Sequence, residues 1–584
     1  MTRLVIFSEK SALDGFDLDT SDILVPLNDK AQMMSQEHAK QFAVVPEWGV
    51  LQAEALYESL SISKGVLRAL NADAEWQRLL WYKEYDLRPM ALKNLYLGLE
   101  NTMQIYRLAK HVVENYPRYD AVLLDSNPET QRIIQAIVPQ VKIEVSARLN
   151  KARWRELARP VGRFARDRWQ IVRSKRPAKT NGAPPVLCFL DAPHRARLMA
   201  RTLTLLSKDY PIHNAWLDGP WEWPENLAIK PAASYPWYAC TPGGAWRRIT
   251  RHVLGSRAQT ELAAFDLPAW LPPNLLWALR YADVQRYANL LEAFEGLAQA
   301  KKPLLWITVE DVYAFGKAVA AVGERYQIPT INVQHGVLGP YRTAEDVSGV
   351  YAVFGEDDRQ KLIERGADPK RIVVTGPVRY DDILELKLDR TAFLRGAKLD
   401  PSRPLVMFSS QPIVRLLTEE NKHSALMALL NAAKAIGAQV VIKAHPLEDR
   451  GMLERLVAES GYPALIVWDQ LYEWLKACDV MATICSTTVY EAALADRPVL
   501  LLDWSENPIT VEYLEQGIGV LPKSPDQTEE TLWQLLTDKA VQSKLANAQQ
   551  EFVLRNLAGS DGKASERLAK LARQLIEEKE VVSD

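Results

Sequence analysis

Lys443, His445 and Pro446 stand at the end of an apolar run, Gln439-Val440-Val441-Ile442-Lys443, and Ser486-Thr487-Thr488 follow a second such run, Asp479 to Ile484. An ammonium group, an imidazole that titrates near neutrality and three hydroxyls are the groups that neutralise and hydrogen-bond a phosphate. Neither run alternates, so both read as central strands of a parallel sheet, buried on two faces. Loops at the carboxyl ends of such strands are where α/β sheets keep their ligands. A helix from Val489 to Ala495 is expected after the hydroxyls, which puts Ser486, Thr487 and Thr488 beside free backbone N–H groups. Glu491, one turn inside that helix, is placed to accept hydrogen bonds from a ribose diol. Simpler roles exist for each residue: Thr488-x-x-Glu491 is also a capping box, and His445-Pro446 also ends a strand. The set in this order points to a nucleotide.

Other strand ends add to it. Leu405-Val406-Met407-Phe408 leads into the polar turn Ser409-Ser410-Gln411-Pro412, where backbone amides can meet a phosphate. Arg371-Ile372-Val373-Val374 runs into Gly376-Pro377-Val378-Arg379-Tyr380-Asp381, which brings Gly376 and Arg379 to the same end. Further upstream, a strand from Pro303 to Thr308 delivers Glu310 and Asp311, and Thr330-Ile331-Asn332-Val333 delivers Gln334-His335-Gly336. His335, an imidazole that titrates near neutrality, is of a type suited to general base catalysis, and Asp311 and Glu310 stand as carboxylates at a neighbouring strand end. These loops hold no Asp-x-Asp of the kind a divalent-cation transferase uses, so neither a metal nor a cofactor is expected.

The elements that must position these residues alternate strand and helix throughout, which predicts α/β architecture with right-handed, doubly wound parallel sheets. Four segments follow. Residues 1–147 form an N-terminal α/β module: strands at Leu4–Phe7, Ile23–Pro26, Asp120–Asp125 and Val141–Val145 flank long helices between about Ala31 and Tyr116. Residues 148–185 are a basic linker, in which Arg148 to Lys179 hold twelve Lys/Arg and two acidic residues. Trp154, Leu157, Val161 and Phe164 repeat there at helical spacing, so the stretch suits peripheral contact with an anionic membrane as well as packing on a neighbouring domain. Residues 186–345 form a Rossmann-like domain on the acceptor side, with a Trp-, Pro- and Gly-rich irregular segment from Trp216 to Trp246 whose rings suit either sugar stacking or satellite core. Residues 346–584 form the donor domain, closed by charged helices from Thr528 to Lys579.

Composition sets limits. The chain has 584 residues, 48% hydrophobic and 25% charged, enough for several domains with cores. A net charge of −2 argues against nucleic acid as a partner. Cys188, Cys240, Cys478 and Cys485 form no C-x-x-C pair and read as reduced thiols. Met1 to Phe7 enter a strand directly, and no apolar span is long enough to cross a bilayer, so a cytoplasmic protein is expected, at most peripheral to the inner face of the membrane.

Gln334-His335-Gly336, the Gly376…Arg379…Asp381 turn, Lys443-x-His445-Pro446 and Ser486-Thr487-Thr488…Glu491 together resemble bacterial surface-polysaccharide glycosyltransferases of the GT-B fold, over about residues 186 to 580. The His-Pro and Ser/Thr motifs are similar to those of bacterial sialyltransferases, capsule Kdo-transferases and CDP-glycerol glycerophosphotransferases, which use cytidine nucleotides. The resemblance implies two Rossmann-like domains facing a cleft. It implies metal-free transfer of a sugar from a nucleotide sugar, CMP-linked nonulosonic acid or Kdo type, to a cell-surface glycan or lipid-linked glycan acceptor. His445 and the Ser/Thr pair would hold the donor phosphate. In sialyltransferases the base lies in an acidic pair followed by glycine, and Glu310-Asp311-Val312 lacks that glycine. In the glycerophosphotransferases it is a histidine before glycine, which His335-Gly336 matches. Two other readings stay open: a non-hydrolysing UDP-sugar 2-epimerase, which shares the fold but carries His-x-Glu ahead of Gly where this chain has Gln-His-Gly, and a non-catalytic nucleotide- or glycan-binding component of a polysaccharide assembly complex.

Overall fold

A computed structural model of the chain describes residues 3–7, 18–19, 21–26, 43–44, 48–115, 120–124, 128–138, 141–143, 183–190, 192–216, 223–225, 227–236, 241–309, 313–338, 349–412, 417, 419–446, 448, 450–504 and 511–583. The described strands build three parallel sheets and one small hairpin. The first sheet holds β1 (Arg3–Phe7), β2 (Ile23–Pro26) and β3 (Ala43–Val44). The hairpin, β4 (Trp81–Tyr82) and β5 (Tyr85–Asp86), comes next, and β6 (Asp120–Leu124) and β7 (Lys142–Ile143) complete the first sheet in the order β3-β2-β1-β6-β7. The second sheet contains β8 (Val186–Phe189), β9 (Ile212–Trp216), β10 (Ala233–Pro236), β11 (Leu305–Thr308), β12 (Thr330–Val333), β13 (Val350–Val353) and β14 (Ile372–Val374), ordered β10-β9-β8-β11-β12-β13-β14. The third contains β15 (Leu405–Ser409), β16 (Gln439–Lys443), β17 (Ala464–Val467), β18 (Val480–Thr483) and β19 (Val499–Leu501), ordered β17-β16-β15-β18-β19.

All three sheets wind alike. The chain steps outward over its first three strands, returns beside the first, and steps outward the other way. This is the doubly wound Rossmann-like architecture expected for a GT-B-class chain with an added N-terminal α/β module. Each winding leaves one switch point, between β1 and β6, β8 and β11, or β15 and β18, where the two helical crossovers diverge and a ligand finds room.

By compactness the chain divides into two units: Met1–Ala352 with Leu362–Val373 and Ala569–Asp584, and Val353–Lys361 with Val374–Leu568. In the first unit the N-terminal module is not isolated from the second sheet. Leu70, Trp76, Leu87 and Leu99 share one core with Phe189, Phe294 and Trp306. Trp76 is fully buried and donates its indole N–H to Gln259 O at 2.8 Å, so its removal costs about 3–5 kcal/mol. The long helical stretches expected between about Ala31 and Tyr116 include the helices Trp48–Asn71, Ala74–Leu79 and Arg88–Asn115, and the β4–β5 hairpin stands between the last two. Lys83 at the hairpin's tip has a φ of 55°, strained for a lysine. It is held by Glu292 and Glu295 of the helix Val284–Lys301, which also accept the hydroxyls of Tyr82 at 2.6 Å and Tyr85 at 2.9 Å. Burial opposes the ionisation of Glu292, but hydrogen bonds from Arg248, Tyr82 and Lys83 keep its pKa below the usual carboxylate value.

The structure moves one expected boundary. Val350–Val353 and Ile372–Val374, read from sequence as the start of the donor domain at residue 346, are instead the edge of the second sheet, with Ile331 paired to Val350 and Val333 to Ala352. An apolar parallel strand carries no mark of which sheet it joins. The irregular segment after Trp216 likewise contains a strand, β10, paired to β9.

The second unit is built on the third sheet, buried on both faces. Val406, Phe408, Val440, Ile442, Val480 and Ala482 enter one core, while Leu405, Met407, Val441 and Met481 enter another. This is why these strands read as unbroken apolar runs. Gly355 lies so close to the helix Lys539–Asn556 that a Cβ would stand 2.3 Å from the backbone carbon of Asn556. Asp381 caps another helix, Ala564–Ser583: its carboxylate accepts the N–H of Ala564 at 3.0 Å and of Ser565 at 2.7 Å.

Candidate functional site

The switch point of the third sheet lies between β15 and β18, and the sequence-predicted hydroxyls meet there. Ser409 donates to Thr488 Oγ1 at 3.0 Å, and Thr488 Oγ1 pairs with Ser486 Oγ at 2.8 Å. Thr483, the last residue of β18, donates to Ser409 O at 2.9 Å and accepts the N–H of Ser486 at 3.3 Å. Gln411 closes the ring by accepting the N–H of Cys485 at 3.1 Å. The helix Thr488–Leu494 begins one residue before its expected start. Its cap differs as well. Thr487 occupies the N-cap position, exposed and with no side-chain cap, and Ser486 Oγ instead accepts the Thr488 N–H at 3.2 Å.

Glu491 does not turn back to complete a capping box. Its Oε1 accepts from Arg379 Nη2 at 2.8 Å, while Oε2 is buried with no hydrogen-bond partner. The residue is 1% exposed, and burial pushes its pKa up against the lowering pull of Arg379. Gly376 makes this contact reachable. Its N–H bonds Val353 O at 3.2 Å, its φ of 87° reverses the chain in the left-handed region open to glycine, and the short helix Val378–Tyr380 then carries Arg379 toward Glu491. Tyr472 fixes the turn from the other side by donating to Arg379 O at 3.0 Å.

The His-Pro loop follows β16. His445 and Pro446 are exposed, and Lys443 is half-buried with its ammonium donating to Ala444 O at 2.8 Å. Burial lowers the pKa of both Lys443 and His445, and Glu448 opposes the shift at each. Ser410 is tied to this loop: its hydroxyl donates to Glu448 Oε1 at 2.7 Å, and its N–H to Lys443 O at 3.0 Å. Sequence reasoning missed Glu448 and its partner Lys422. The one available signal was a glutamate three residues beyond the histidine, followed out from a loop already under suspicion.

In the first unit His335 is half-buried on the turn after β12. Gln334 braces that turn, taking its N–H to Ala352 O at 3.0 Å and its amide to Gly336 O at 2.9 Å. Glu310 and Asp311 lie outside the described residues, as do Cys240 and the basic stretch 148–179. Cys188 and Cys478 are buried free thiols, and burial raises the pKa of both. Among the described residues no three His, Cys, Asp or Glu side chains group as a metal site, and no helix is long and apolar enough to cross a membrane.

Residues 286–573, a span just short of half the chain's length, match the family model of UDP-N-acetylglucosamine 2-epimerase. The lipid-A-disaccharide synthase of Syntrophotalea carbinolica is 27% identical over 124 residues, 21% of this chain and 31% of that protein, so the match spans about a third of the relative's length. Among solved structures, a Listeria monocytogenes protein described as a UDP-N-acetylglucosamine 2-epimerase is 16% identical, with a TM-score of 0.47, over 68% of this chain and 98% of its own. UDP-GlcNAc 2-epimerase from Neisseria meningitidis, bound to UDP-GlcNAc, is 14% identical with a TM-score of 0.43, over 66% of this chain and 98% of its own. The wall teichoic acid polymerase TagF is 14% identical with a TM-score of 0.43, over 74% of this chain and 100% of its own.

Proposed function

We propose that this protein is a nucleotide-sugar enzyme of the GT-B class that transfers a glycosyl group, without a metal, to a glycan or lipid-linked glycan acceptor. The observation that carries the nucleotide reading is the buried Glu491, one oxygen held by Arg379 and the other unpartnered, beside the hydroxyls of Ser486 and Thr488. A buried acceptor without a donor costs about 1–3 kcal/mol, and a ribose hydroxyl supplies the missing donor. Lys443 and His445 are then the groups for the phosphate, with Ser409, Ser486, Thr487 and Thr488 at the adjoining helix start, while Ser410, whose hydroxyl is given to Glu448, holds the loop.

The chemistry follows from these types. As the bond from the anomeric carbon to the phosphate oxygen breaks, negative charge gathers on the departing nucleotide, and cationic and hydroxyl donors stabilise it. The acceptor oxygen forms the new bond and gives its proton to a base, for which His335 is the candidate, with Asp311 and Glu310 as the others. The His-Pro and Ser/Thr motifs favour a cytidine nucleotide donor, CMP-linked nonulosonic acid or Kdo type. The match of residues 286–573 to an epimerase family favours a second reading, UDP-sugar 2-epimerisation.

Incubation with CMP-, CDP-, UDP- and GDP-sugars, with and without a surface-glycan acceptor, tests both. Transfer releases free nucleotide only when acceptor is present. Sugar interconversion without release supports the epimerase, and binding with neither product leaves a non-catalytic component.

A further inference from the structure

The buried pair beneath the His-Pro loop has no part in the chemistry described so far. Lys422 lies in the helix Glu419–Ile436 with its side chain 1% exposed, and the Glu448 side chain is 2% exposed. Stability alone is a poor account of such a pair. Taking two charges out of water costs nearly as much as their attraction returns, and apolar residues of equal volume often do as well. The partners of the pair are more telling. Glu448 Oε1 accepts from Lys422 and from the Ser410 hydroxyl, and Oε2 accepts the N–H of His445 at 2.5 Å. Lys422 also donates to Gln411 O at 2.7 Å. One ion pair thus ties the turn after β15 to the loop after β16, at the carboxyl ends of neighbouring strands. Charge makes the arrangement specific. A lone carboxylate under His445 would repel a phosphate, and Lys422 cancels that charge while leaving both oxygens free to accept hydrogen bonds.

We propose that Lys422 and Glu448 are positioning residues that use Ser410 to anchor the His445 loop as an anion-binding edge and neutralise the charge beneath it. This rests on the nucleotide reading of the site. The two residues touch no ligand and act through His445 and Ser410.

The test compares Lys422→Met/Glu448→Leu, which removes both charges together, with His445→Ala and with the triple variant, by titration calorimetry with CDP and UDP. The double variant folds and binds the better nucleotide about ten- to a hundredfold more weakly, and the triple variant is no weaker than His445→Ala, because residues acting as one unit are not additive. Wild-type affinity in the double variant, or fully additive losses, would overturn the inference. Amide hydrogen exchange supplies a readout that does not depend on any ligand. Exchange at the His445 N–H speeds up about tenfold or more in the double variant while the β16 amides keep their protection. Unchanged exchange at His445 refutes the positioning role even if no nucleotide binds the wild type, a result that would by itself defeat only the nucleotide reading. Should the double variant fail to fold, Ser410→Ala removes one tie without stranding a charge. It is expected to speed His445 exchange about threefold, and no change there refutes the role equally.

Discussion

The guanidinium of Arg379 stands 2.8 Å from Glu491 Oε1, 112 residues away in sequence, and leaves Glu491 Oε2 buried without a partner. If that oxygen serves a ribose, Glu491→Gln weakens nucleoside diphosphate binding by about ten- to a hundredfold, the worth of one hydrogen bond to a charged acceptor. Inorganic pyrophosphate, which has no ribose, binds the variant and the wild type alike. Equal losses for both ligands in calorimetry would assign Glu491 to the fold instead.

His445 gives the site a pH dependence whose sign is fixed by its surroundings. Burial lowers its pKa, with Lys443 and Lys422 adding to the shift and Glu448 opposing it. The free site therefore carries a neutral imidazole at neutral pH, and a bound phosphate, which favours imidazolium, draws in a proton. Affinity for CDP or UDP rises as pH falls from about 8 toward 6, more steeply in wild type than in His445→Gln, which cannot take up that proton. Stability has the corresponding sign. A histidine whose folded pKa is depressed binds protons better when unfolded, so its contribution is present above the ordinary value of about 6.5 and lost as pH falls below it. Parallel affinity curves for wild type and variant would remove His445 from the phosphate.

If His335 is the proposed base, chemistry and binding separate there. His335→Ala lowers turnover by about two to four orders of magnitude, the range for general base catalysis, and leaves nucleotide affinity near wild type. The same measurement on Asp311→Ala and Glu310→Ala decides among the three bases. Near-normal turnover in all three places the proton acceptor elsewhere.

A stability prediction tests the network under the hairpin. Tyr82→Phe removes the 2.6 Å hydrogen bond to the buried Glu292 and costs about 1.5–3 kcal/mol in denaturant unfolding. Arg248 and Lys83 still hold the carboxylate, so the variant remains folded, and its nucleotide affinity is unchanged. A loss below about 0.5 kcal/mol would mean those two partners satisfy Glu292 without the tyrosine.

What the sequence revealed and what it hid follow from range. Val440, Val441 and Ile442 announce a central parallel strand because their neighbours on both faces demand apolar side chains, and the residues past such a strand's end can be listed without knowing the fold. Ser409, Ser486 and Thr488 were found this way, and they do meet. Sheet membership is another matter: β13 and β14 carry the same apolar signature whichever sheet they join. Pairings between distant residues were also hidden. Thr488-x-x-Glu491 fits a local capping box, and only the fold shows that Arg379 claims the carboxylate. Nothing next to Lys422 in the chain marks its pairing with Glu448, 26 residues on.

Asp381 sets an order on synthesis. The two N–H groups its carboxylate accepts belong to Ala564 and Ser565, 183 and 184 residues further along the chain. A growing polypeptide completes β15 to β19 and the loops of the candidate site well before those donors leave the ribosome. Throughout that interval Asp381 is a charge awaiting its partners, in a place destined to be 2% exposed. A chain released before residue 564 would have every strand of the third sheet and still carry an unanswered carboxylate in its interior. Such a chain is expected to be less stable than the full one and to be a target of chaperones and proteases.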